Sequence, residues 1–229
     1  LYASERRGVL MRSRIVLDSG DARAGRTEVV DDGAVSKGGA NLSHQLADDD
    51  LLVVYNGAYH GFGQGKSLKL ARSIGDGGYR IYELDGPGCS VGNSAATTVF
   101  RDELLVLSAD RTAAHLYTFA LDQPSGAMPV RRTFAELQGA NAITACGFCR
   151  TRDECVAVVQ RWPQLVVRRL SSAGVEPPRT FDVGQRFSDD APGSDLVCVW
   201  TRGQPTVLYY DPVERSIRAL SLEPAGDTD

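Results

Sequence analysis

The stretch Asp50-Leu-Leu-Val-Val-Tyr55, an acidic residue heading a short apolar run, recurs as Glu103-Leu-Leu-Val-Leu107, Glu154-Cys-Val-Ala-Val-Val159 and Asp195-Leu-Val-Cys-Val-Trp200. Each run has the length and the β-branched or aromatic content of a strand. A turn-rich gap and a second strand-like run follow, in Ser67-Leu-Lys-Leu70, His115-Leu-Tyr-Thr-Phe-Ala-Leu121, Gln164-Leu-Val-Val-Arg-Arg-Leu170 and Ser216-Ile-Arg-Ala-Leu-Ser-Leu222. Next come small-residue turns, Ser73-Ile-Gly-Asp-Gly-Gly78, Asp122-Gln-Pro-Ser-Gly126, Ser171-Ser-Ala-Gly174 and Glu223-Pro-Ala-Gly226. Glycine supplies the positive φ that tight antiparallel reversals demand.

The first three turns lead into a third run, Tyr79-Arg-Ile-Tyr-Glu-Leu84, Met128-Pro-Val-Arg-Arg-Thr-Phe134 and Arg179-Thr-Phe-Asp-Val183. Small-residue segments precede three of the units: Gly39-Ala-Asn-Leu-Ser-His44, Gly92-Asn-Ser-Ala-Ala-Thr-Thr-Val99 and Gly139-Ala-Asn-Ala-Ile-Thr-Ala145. They suit inner strands near a crowded axis. A four-strand unit of about 45–50 residues matches a propeller blade. The expectation is an all-β chain, a single β-propeller domain over residues 1–229. It would have about five four-stranded blades, or be a segment of a larger propeller. Whole blades are expected at about 39–90, 91–138 and 139–183, with partial blades at 1–38 and 184–229. The partial blades would be completed by each other, by a partner chain, or by further sequence. The Gly- and Pro-free stretch Arg101 to Leu121 is the local exception, because its leucines also fit a helix.

Composition narrows the classes of function. The 229 residues are 42% hydrophobic and 24% charged, which suits a globular chain with a sizeable core. The net charge of −4 supplies no basic field for phosphate backbones, so nucleic acid is disfavoured. No apolar run approaches the roughly 20 residues of a membrane-spanning helix. Of 25 basic residues only Lys37, Lys66 and Lys69 are lysine, so arginine is abundant everywhere and marks no site by itself.

Residues 42–84 resemble an Asp-box blade of the sialidase-type propellers. Ser73, Asp76, Gly77 or Gly78, and Tyr79 match the motif's Ser, Asp, Gly and aromatic once an inserted residue is tolerated. The other blades keep Ser and Gly, as in Ser171-Ser-Ala-Gly174, without the aspartate. Asp-box residues serve the hairpin, so the resemblance implies a fold and no activity. A sialidase would add three arginines for the substrate carboxylate, a tyrosine activated by a glutamate, and an acid aspartate. Arg72, Arg80, Tyr55, Glu83 and Asp50 are candidates by type, with no local pattern joining them.

A second resemblance is to the invertase and levanase-like five-bladed glycosidases. Phe100-Arg-Asp102 and Glu154-Cys155 are similar to that family's Phe-Arg-Asp-Pro and Glu-Cys motifs. The proline after Asp102 is replaced by Glu103, and the family's Asn-Asp-Pro-Asn is missing. Paired carboxylates could act as nucleophile and acid on a glycosidic bond, so the alternative function is a glycosidase-like enzyme using Asp102 and Glu154.

No other catalytic or metal-binding constellation is evident, and no cofactor or metal is expected. Cys146-Gly-Phe-Cys149 has redox spacing, but a turn follows it instead of a helix. His44, His60 and His115 show no metal spacing. Cys149 and Cys155, flanking the hairpin 150–154, are a candidate disulfide. That bond would indicate export, so localisation leans to secreted or cell surface. Candidate ligand contacts lie in loops, at Tyr59, His60 and Phe62 and at Arg161 and Trp162. Aromatic faces beside hydrogen-bonding groups suit sugar rings or a protein hot spot. The expected function is a non-catalytic binding or assembly module that presents propeller loops to a carbohydrate or protein partner.

Overall fold

The computed structural model describes residues 2–4, 9–18, 21–31, 42–47, 50–58, 66–74, 77–85, 94–109, 113–122, 130–136, 145–161, 164–171, 174–182, 196–211 and 214–222. Every regular element among them is a strand. The first sheet holds β1 (Tyr2–Ser4), β2 (Val9–Asp18) and β3 (Asp21–Asp31) in that order, and the second holds β4 (Leu42–Ala47), β5 (Asp50–Ala58), β6 (Lys66–Ile74) and β7 (Gly78–Asp85). The third is built from β8 (Ser94–Phe100), β9 (Glu103–Ala109), β10 (Ala113–Ala120) and β11 (Val130–Glu136). The fourth has β12 (Ala145–Arg150), β13 (Cys155–Arg161) and β14 (Gln164–Ser171), with both β15 (Gly174–Val175) and β16 (Arg179–Asp182) paired to β14. The fifth has β17 (Leu196–Thr201), β18 (Gln204–Asp211) and β19 (Ser216–Ser221). All pairings are antiparallel.

Each sheet is thus a meander of sequential strands, the form of a propeller blade. The outer edge of the fourth sheet is split because Pro177 and Pro178 have no amide to donate. Glu176 bridges that gap, its amide donating to the Arg169 carbonyl at 2.9 Å.

The stretch from Arg101 to Leu121 is a hairpin and not a helix. Leu104, Leu105, Val106 and Leu107 are all buried, which a helix with one exposed stripe would not allow. In β9 they alternate: Leu107 pairs with Leu116, and Val106 with Tyr117. A strand covered on both faces reads as a continuous apolar run, which hides the period of two.

By contact the chain divides into two compact units, Leu1–Gly92 and Asn93–Asp229. In the first, Leu10 and Val30 of the first sheet share a core with Leu51, Val53, Tyr55 and Ala71 of the second. In the second unit the fourth sheet is covered on both faces. Cys155, Ala157 and Val159 of β13 pack with Leu105, Leu107, Leu116 and Phe134 of the third sheet. Val156 and Val158, pointing the other way, pack with Val207, Tyr209 and Leu222 of the fifth. Each fully buried Val or Leu contributes roughly 1.5–3 kcal/mol.

This alternation overturns the expected Cys149–Cys155 disulfide. Cys149 pairs with Val156, and Cys155 with Arg150. The two thiols therefore project from opposite faces, Cys149 into the core shared with the fifth sheet and Cys155 into that shared with the third. Both are free. Hairpin proximity in sequence had suggested a pair that the one-residue offset in register forbids.

Candidate functional site

The β2–β3 hairpin is the longest in the first unit, and its register slips between Leu10 and Met11 and again between Ser13 and Ile15. Such bulges bend and twist a ribbon and re-aim its side chains. Arg12 pairs directly with Glu28, and Arg26 lies two residues before Glu28 along β3. With Val16 and Gly25 these three residues line a pocket of about 380 Å³. Gly25 has no side chain to fill the space.

Arg12 is anchored by the neighbouring sheet, its Nη1 donating to the Tyr79 hydroxyl at 3.2 Å. That hydrogen bond, with the nearby Glu28 carboxylate, pulls the Arg12 guanidinium further towards its charged form. Tyr79 also packs against the core that joins the two sheets. The pocket therefore offers one fixed cation, one exposed cation in Arg26, one carboxylate acceptor and an apolar wall in Val16. Fixed donors beside an acceptor can hold a polyhydroxylated ligand, whose hydroxyls both give and take hydrogen bonds.

The sequence did not single out Arg12, Arg26 or Glu28. Arginine is so common in the chain that only spatial convergence distinguishes these two. Of the loop residues proposed from sequence, Tyr59, His60, Phe62 and Trp162 lie outside the described residues. Arg161 closes β13, its backbone opposite Gln164, and its side chain is likewise outside them.

The paired carboxylates of the glycosidase alternative are placed. Asp102 lies exposed in the two-residue turn between β8 and β9, and Glu154 lies exposed in the turn between β12 and β13. Thr151 Oγ1 organises the second turn by accepting from the Glu154 amide at 3.1 Å. The Glu154 carboxylate is 3.9 Å from Arg169. Neither Asp102 nor Glu154 lines the Arg12 pocket.

The sialidase-type candidates divide between two faces of the second sheet. Tyr55 and Glu83 both pair with Lys69. Arg72 pairs with Leu52 and Arg80 on the opposite face, and Arg72 is committed to Asp50 at 2.7 Å. Tyr55 is buried, with its hydroxyl donating to Asp31 Oδ2 at 2.5 Å. Burial foremost, then the Asp31 carboxylate, pushes the Tyr55 phenol far above its usual range, which opposes a nucleophilic role.

Ser73 of the Asp-box-like segment accepts from the Leu51 amide at 2.8 Å, tying β6 to the start of β5. Gly77 takes a φ of 82° at the hairpin. Asp76 lies outside the described residues. Among the described residues no group of three or more His, Cys, Asp or Glu could hold a metal ion, and no helix is long and apolar enough to cross a membrane.

No protein-family model and no curated protein sequence matches this chain. Solved structures do match. The Aleuria aurantia lectin in complex with α-methyl-L-fucoside is similar with a TM-score of 0.53 at 10% identity, covering 93% of this chain and 67% of that one. A second structure of that lectin, described as a six-bladed β-propeller with a novel mode of fucose recognition, matches with a TM-score of 0.51 at 10% identity over the same shares. Trypanosoma rangeli sialidase has a TM-score of 0.47 at 14% identity, covering 88% of this chain and 35% of that one. The fold of this chain is that of a β-propeller.

Proposed function

We propose that this protein is a carbohydrate-binding propeller that holds its ligand without chemical turnover, with Arg12, Arg26 and Glu28 as one ligand site. The pocket carries the reading. Its volume is in the low part of the range of small-ligand pockets, roughly 300–1,000 Å³, and its lining combines an anchored donor in Arg12, an exposed donor in Arg26, an acceptor and an apolar wall. A lectin bound to a fucoside shares the propeller fold, which supports a sugar as the ligand class. The exposed turn positions of Asp102 and Glu154 support binding over hydrolysis, because a catalytic acid needs a sheltered setting that keeps its carboxyl protonated.

The test is a glycan panel containing neutral and carboxylated sugars, followed by calorimetric titration of the best ligand. Arg26→Ala is expected to weaken binding by about tenfold or more, the value of a charge-assisted hydrogen bond. Because Arg26 is exposed, its Tm should not move. Retention of no glycan, or binding indifferent to Arg26→Ala and Glu28→Gln, would overturn the site. Hydrolysis of a glycoside that is lost in Asp102→Asn or Glu154→Gln would favour the enzyme instead.

A further inference from the structure

The fourth and fifth sheets pack through β12 and β17, and Gly147 of β12 faces Leu196 and Cys198 of β17 there. A Cβ on Gly147 would stand 3.8 Å from the Cβ of Cys198 and 3.0 Å from its Sγ. Packed sheets are ordinarily about 10 Å apart, so the two faces lie close at this point, and the glycine leaves the space that the Cys198 sulfur occupies. Cys149 lies two residues beyond Gly147 on the same face of β12. It shares one apolar cluster with Cys198, both thiols are free, and Cys149 is a hydrogen-bonding neighbour of the Cys198 thiol. Cys146 and Cys155 pack instead into the core shared with the third sheet, so among the described cysteines Cys198 is the one on Cys149's own side.

We propose that Cys149 and Cys198 form a disulfide joining the fourth and fifth sheets when the chain folds in an oxidising environment. With glutathione disulfide as oxidant, one cysteine thiolate attacks a glutathione sulfur and expels one glutathione. The second cysteine then attacks the protein sulfur of that mixed disulfide and expels the other. Two protein thiols lose two electrons and two protons, and one glutathione disulfide becomes two glutathione molecules. The bond forms before the sheets close. In the folded chain the hydrogen bond that the Cys198 thiol donates to Cys149, together with burial, holds Cys198 far above its ordinary range, so the attacking thiolate is scarce there.

The test is refolding of the whole chain in a mixture of reduced and oxidised glutathione, then alkylation, digestion without reductant and mass spectrometry. The expected product is a peptide containing Cys149 linked to one containing Cys198, lighter by two hydrogens than the separate pair. Dithiothreitol should lower the Tm of this material by roughly 5–15 °C, since the bond closes a long loop. Cys198→Ala and Cys198→Ser should lose that reductant-sensitive shift. If neither variant folds, the wild-type peptide map decides alone. Recovery of both cysteines alkylated from chain that has refolded by circular dichroism overturns the proposal, as does a bond from Cys149 to any other cysteine.

Discussion

Asp31, at the end of the first sheet, accepts from the Tyr55 hydroxyl and lies 3.6 Å from Lys69 Nζ, both in the second sheet. The carboxylate and the ammonium are both largely withdrawn from water, so their value depends on each remaining satisfied. A buried pair contributes less than its attraction suggests, while an orphaned partner costs the full desolvation penalty. Tyr55→Phe removes one donor and leaves the carboxylate with Lys69. It should lower stability by about 1–3 kcal/mol, read as a lower denaturant midpoint at unchanged slope. Tyr55 was legible from the sequence as the end of an apolar strand. Its partner was not, because Asp31 lies in a different sheet and nothing in local spacing relates the two.

At the level of elements, turns and close approaches carry the local strain. The hairpin between β17 and β18 turns on Arg202 and Gly203, with φ of 51° and 80°. Two successive positive φ values mark a turn that favours Asn-Gly, and arginine pays a steric cost there. Arg202→Asn should therefore raise stability by about 0.5–1 kcal/mol, seen as a small increase in Tm. Gly147 is the opposite case. Even a Cβ would sit 2.9 Å from Leu196 Cδ2, and a branched side chain cannot be accommodated by turning one leucine methyl. Gly147→Val should cost about 1–3 kcal/mol as the sheets are forced apart, measurable by thermal melting. Strand positions were readable from apolar runs and glycine turns, including the acidic residue at the head of each run. The interruption of the outer strand at Pro177 and Pro178 was also present in the sequence, as two missing donors in a row.

Across the whole molecule, stability should fall at alkaline pH. Burial pushes the Cys155 thiol up to about 12 and the Tyr55 phenol higher still. Unfolded, these groups ionise near their ordinary values, about 8.5 and 10. Above those values the unfolded state releases protons that the folded state retains, so each contribution is complete below the unfolded pKa and fades as pH rises towards the folded one. Urea midpoints should thus be flat from pH 7 to 8 and decline between about 9 and 12. Tyr55→Phe should shallow the decline above pH 10, and Cys155→Ala the portion that begins near pH 9, each compared with its own value at pH 7.

The sequence by itself determined the strands, their grouping into repeated meanders and hence the propeller class, because those follow from apolar content, turn chemistry and chain order within a few dozen residues. The tertiary structure alone decided which side chains meet. Alternation along a strand says that neighbours point opposite ways, but not which face meets which sheet. Register between strands sent Cys149 and Cys155 apart, and the packing of β12 on β17 brought Cys198 to the first of them. In the same way Arg12, Arg26 and Glu28 became a pocket only through the pairing and bulges of one hairpin and the anchor from Tyr79. Contacts between sheets are long-range in sequence, and a composition rich in arginine leaves no local mark on the few that converge.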